Sequence, residues 1–157
     1  MRRRLYTILA TSAAVLAVAA VGLAAASDHD STERPGRGTK AKVFVGYWMG
    51  IDPVDGGDSR RAFTRNADGT IAMIGRDSYL TLCDGTDRGV ATFDDGVVSG
   101  SALTSDNLVL TCFNNGATVT LRDRFEVINS NLIRETTTTT TGEPVTEIYF
   151  HRVSEQH

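Results

Sequence analysis

From Lys42 onward the chain is broken by turn signals so often that a helix has nowhere to settle. No stretch carries apolar residues at i, i+3, i+4 and i+7 between caps. Short runs rich in β-branched and aromatic residues follow one another instead: KVFVGYWMGI, RRAFTRN, TIAMIGR, YLTLC, GVATF, VVSGSAL, NLVLTCF, ATVTLRDRFEVI, NLIRETTTTTT and VTEIYFHRV. Between them stand DPVDGGDS, ADG, CDGTDR, DDG, TSDN, NNG, NSN and TGEP. Their Asn, Asp and Gly residues supply the positive backbone angles of tight turns. Hairpin after hairpin predicts an all-β antiparallel meander of roughly eight to ten strands. Such a meander has two raw edges, and closing into an up-and-down β-barrel removes them. A β-sandwich is the alternative.

The amino-terminal part reads differently. Three arginines, Arg2 to Arg4, precede an uncharged apolar run from Ile8 to Ala26 that ends in Ala24-Ala25-Ala26. A basic start, an apolar centre and a small-residue site make a signal peptide over residues 1–26. Its Ala-rich run drives membrane insertion weakly, so cleavage is expected rather than a stable membrane anchor. The expected location is exported, periplasmic or extracellular. Residues 27–41, SDHDSTERPGRGTKA, are polar with Pro and Gly and read as a flexible linker. The β-barrel domain then spans 42–153, followed by a tail at 154–157.

Cleavage removes three arginines and no acid, taking the formal charge from −3 to −6. Scattered basic residues on an acidic chain leave no footprint for nucleic acid and no basic face for a membrane surface. The two cysteines, Cys83 and Cys112, lie in a chain bound for an oxidising compartment, which predicts a disulfide between them.

Gly46-Tyr47-Trp48, in the first β-rich run, resembles the Gly-x-Trp signature of lipocalins and their calycin relatives. In that family the Trp packs across the closed end of an up-and-down barrel, and an Arg beyond the last strand stacks on it. Arg152, in Phe150-His151-Arg152-Val153, stands where that partner would be. The resemblance implies a small exported barrel that binds a small, partly apolar ligand, with Trp48 and Arg152 among its candidate binding residues.

Catalytic signatures are absent from the sequence. There is no Gly-x-Ser-x-Gly, no His-Glu-x-x-His and no phosphate-binding glycine loop, and no cofactor or metal is expected. Asp52, Asp55 and Asp58 are spaced three apart, unlike an EF-hand loop, and read as a polar connection. His151 alternates with Glu147 and Tyr149 and faces solvent.

The hairpin around Asn129-Ser130 is richer. Alternation puts Val119, Leu121, Asp123, Phe125 and Val127 on one face, an apolar face holding one carboxylate. A two-residue loop would set Arg134 on the inner face, diagonal to Asp123. A three-residue loop would instead put Glu135 inside and pair Glu126 with Arg134 outside. Asp123, Phe125 and Arg134 join the candidate ligand-binding residues. The expected function is therefore non-catalytic ligand binding. The alternatives are a packed β-module for protein or envelope interaction, and a small isomerase-like barrel enzyme using Asp123 or a tyrosine.

Overall fold

The computed structural model describes residues 41–85 and 89–153. The expected leader at 1–26, the expected linker up to residue 40 and the expected tail at 154–157 lie outside the described residues. Eight strands run in chain order: β1 (Gly46–Ile51), β2 (Asp58–Arg65), β3 (Ile71–Asp77), β4 (Gly89–Ser99), β5 (Ala102–Cys112), β6 (Thr118–Asn129), β7 (Leu132–Thr138) and β8 (Pro144–Arg152). Each pairs antiparallel with the next, and β8 pairs back onto β1 to close the barrel. Closure leaves no free sheet edge, as expected for a meander of this length. The sandwich alternative is excluded.

Ten β-rich runs become eight strands for local reasons. The GVATF and VVS runs form one strand, β4, because DDG does not turn the chain. A Cβ on Gly96 would sit 2.8 Å from the Ile71 carbonyl oxygen, so glycine lets β4 bulge against β3 and continue. The TSDN stretch likewise lies inside β5, at a register shift between Ser105 and Leu108. YLTLC is not a strand: Thr81–Cys83 form a short 3-10 turn that ends at Asp84 in the left-handed region, φ 59°. Residues 42–45 also precede the first strand, but Phe44 there is buried. The threonine run is strand only as far as Thr138 and then turns.

The core follows the alternation of the strands. Phe44, Phe63, Phe93 and Phe125 form a cluster of rings, the closest pair being Phe63 and Phe125 with centroids 4.9 Å apart and nearly perpendicular. Ile71, Met73, Leu103, Ile133, Ile148 and Phe150 fill the space around them. A separate small cluster, Leu80 with Cys83 and Cys112, sits where the 3-10 turn meets the end of β5. Those cysteines are bonded, with Cα atoms 5.3 Å apart.

Candidate functional site

The meander sorts its connections into two ends. One end gathers the turns at 66–70, 100–101 and 130–131 together with residues 41–45 and the terminus of β8. The other gathers the loops at 52–57 and 78–85 and the turns at 113–117 and 139–143.

The first end is plugged. Trp48 is 1 % exposed, and its indole Nε1 donates to the Phe44 carbonyl at 2.7 Å. Arg152, directly across the β1–β8 seam, holds its guanidinium carbon 4.3 Å from the indole centroid. The same guanidinium donates to the Val45 carbonyl at 2.8 Å, to the Val43 carbonyl, and through Nε to the Ser130 carbonyl at 3.3 Å. Three backbone carbonyls from two chain segments are thereby tied to one side chain, beneath a cation–π contact. Gly46 makes room for it: φ is +123°, and a Cβ there would stand 3.0 Å from Arg152 Nη1.

The second end is open. A cavity of about 300 Å³ lies there, at the small end of the range for ligand sites. Its walls are mostly aliphatic and include Leu80, Leu108, Leu110, Val119, Leu121 and Val145, with Tyr79 at the rim. Arg61, Asp77 and Thr137 reach it from below, and Thr146 from the side.

Arg61 organises the floor. Its Nε and Nη2 each donate to a Glu135 oxygen at 2.9 Å, and Nη1 donates to Asp77 Oδ1 at 2.8 Å and to the Arg60 carbonyl at 3.0 Å. Its guanidinium carbon is 5.0 Å from the centroid of the Phe150 ring. Gly75, across the β2–β3 ladder, is required for this placement, because a Cβ there would lie 2.9 Å from Arg61 Cδ. Burial alone would lower the basicity of Arg61, but the Glu135 and Asp77 carboxylates override it and hold the guanidinium charged.

Asp123 lies beside Glu135, 2 % exposed. Its Oδ1 accepts from Thr137 Oγ1 at 3.3 Å and from the Arg124 backbone N–H at 3.1 Å, while Oδ2 meets no donor among the described residues. Burial first, and the neighbouring Glu135 carboxylate second, push Asp123 well above the usual carboxylate range. Both effects favour the protonated acid, the form that spares the floor two negative charges side by side.

The five candidate binding residues take different places. Trp48 and Arg152 form the plug, and Phe125 belongs to the ring cluster. Asp123 is buried under Thr137. Arg134 is on the outer surface: a register shift between Val127 and Asn129 sets Glu126 opposite Arg134 and Phe125 opposite Glu135. Of the two registers open to the hairpin, the chain takes the one with Glu135 inside, and Arg134 pairs with Glu126 outside. None of the five lines the open-end cavity. His151 faces solvent. Asp52 and Asp55 accept backbone N–H bonds within their own loop, at 2.8 and 2.6 Å.

Arg61, Asp77 and Thr146 escaped the sequence reading. A signal existed for Arg61, since Ser59, Arg61 and Phe63 alternate onto one face, and Phe63 is an obvious core residue. Among the described residues no group of His, Cys, Asp and Glu side chains is placed to hold a metal ion, and no helix is long and apolar enough to cross a membrane. No protein-family model matches the chain, and no curated protein matches it in sequence.

Proposed function

We propose that this is an exported, lipocalin-like barrel that holds a small, partly apolar molecule in its open end and performs no chemistry on it. One observation carries the reading: an aliphatic cavity of about 300 Å³ stands over a buried polar floor organised by Arg61, opposite a plugged end. Apolar walls with a few placed polar groups are the usual composition of a small-molecule site. The acid with the most displaced proton affinity, Asp123, does not line that cavity, which counts against an acid–base enzyme. Export rests on the leader at 1–26, and the intact mass of secreted protein should place the mature start near Ser27.

Native mass spectrometry of protein purified from its own host should show a bound molecule. Titration with Nile red, an uncharged apolar dye, tests the site itself. Val119→Trp, which fills the cavity from a half-exposed rim position, should weaken dye binding about tenfold or more, or roughly 1.4 kcal/mol. Unchanged binding in a folded Val119→Trp protein would remove the cavity as the site.

A further inference from the structure

The charges around the cavity are lopsided. Among the described residues Arg61 is the one basic side chain lining it, against Asp52 and Asp77. Arg61 is also already spent, since four of the five guanidinium N–H bonds go to Glu135, Asp77 and the Arg60 carbonyl. Glu135, entirely buried behind it, adds a further negative charge. Even with Asp123 counted as neutral, the described residues of the site carry an excess of negative charge.

Two acceptors remain unused. Asp77 gives Oδ1 to Arg61, but Oδ2 accepts nothing among the described residues, and the side chain is still 15 % exposed. Thr146 Oγ1 is shut away from solvent with no partner among the described residues. Its neighbour across the β7–β8 ladder, Thr137, is already committed to Asp123. A buried polar atom left without a partner is costly unless something else satisfies it.

We propose that the cavity takes amphipathic amines, with the apolar body against the aliphatic walls and a protonated amine at the floor facing Asp77. This inference rests on the open end being a ligand site and adds the class of molecule it selects. A carboxylate in the same position would meet the excess negative charge and find no free cation among the described lining residues, because Arg61 is neutralised twice over. Arg60 and Arg76 share an outer groove with Asp77, but they project into solvent, where their charge is screened. A neutral alcohol would use the hydrogen-bond acceptors without the charge, so it should rank between the other two.

Octylamine, octanol and octanoate share one apolar body and differ only at the head. Their binding would be compared by titration calorimetry at pH 7 and low salt, where the amine is protonated and the acid ionised. Octylamine should bind tightest and octanoate at least about tenfold weaker. Asp77→Asn should erase most of the advantage of octylamine over octanol. Because that change also loosens Arg61, Asp52→Asn at the mouth provides a second variant and should narrow the same gap by a smaller factor. If octanoate binds as well as octylamine while octanol also binds, the cavity reading stands and the amine class is wrong. If the amine's advantage survives both folded variants, the assignment is equally wrong. If none of the three probes binds, the ligand site itself fails, and this inference fails with it.

Discussion

The two ends of the barrel are built from the same strands but follow opposite packing rules. Toward the plugged end the inward positions hold Trp48, Phe63, Met73, Phe93, Phe125, Ile133 and Phe150, all buried. Toward the open end the same strands offer Gly50, Ser59, Gly75, Ala91, Leu121, Thr137 and Thr146. In β2, β6 and β7 a charged residue marks the change: Phe63-Arg61-Ser59, Phe125-Asp123-Leu121 and Ile133-Glu135-Thr137. Small interiors of this kind are filled by side chains when large residues occupy every inward site. Here they do so over only part of the length. Two residues along a strand therefore separate a packed core from a cavity, with an ion cluster as the partition.

The packed end should be the harder one to damage without unfolding. Trp48→Ala should cost about 3–5 kcal/mol, the usual range for truncating a large core aromatic. Arg152→Ala should cost about 1–2 kcal/mol, from lost stacking and lost packing of its stem. Because the two side chains touch, the double variant should be destabilised by less than the sum. Denaturant melts of the four proteins measure this. Strict additivity would mean that the guanidinium merely rests over the indole and does not brace the plug.

The partition is tested by its own ions. Glu135→Gln leaves Arg61 buried with one carboxylate fewer, and the cost should approach about 3 kcal/mol, as when one partner of a buried pair is removed. Replacing both, Arg61→Met with Glu135→Leu, should restore much of that stability, because no charge is then left stranded. The double variant should also lose the polar floor. Arg134→Ala, one position along the same strand but facing outward, should leave the melting midpoint unmoved, as for most surface pairs. A large effect at Arg134 and none at Glu135 would reverse the assignment of inner and outer faces.

These residues also show what a sequence can reveal. The plug was legible because its signal is compact: a Gly-Tyr-Trp stretch at the first strand and an Arg at the last. The cysteine pair was legible because there are only two, and the meander because turn residues punctuate it. The partition was not, since Arg61 and Glu135 stand 74 positions apart and meet only once the barrel closes. Arg60-Arg61 looks like a solvated pair, and only the period of two linking Arg61 to Phe63 hints otherwise. The face of Glu135 hung on one residue of loop length, because a one-residue slip in register exchanges inside for outside. A cavity has no motif at all, being the sum of small residues contributed by separate strands.

The smallest expected effect concerns the proton on Asp123. Its proton affinity is raised in the folded state by burial and by Glu135, with Arg61 opposing. The folded protein therefore binds a proton that the unfolded chain has already released. Below the unfolded value, near pH 4, Asp123 is neutral in both states and costs nothing. As the pH rises from there through the raised folded value, stability should fall, with a limiting slope of about 1.4 kcal/mol per pH unit for one proton. Carboxylates held below their usual range act oppositely at acid pH. Glu126, bonded first by Arg124 and then by Arg134, and Asp95, bonded by Ser105, lend stability that is lost as the pH falls through their lowered values. Stability should thus peak in mildly acid solution. Asp123→Asn, which keeps the shape and removes the proton equilibrium, should flatten the descending limb and leave the acid limb in place. Denaturant melts across that range would show whether the limb belongs to Asp123. An Asn variant with an unchanged descending limb would mean that the ion partition already tolerates a second charge, and that Asp123 is not its neutral member.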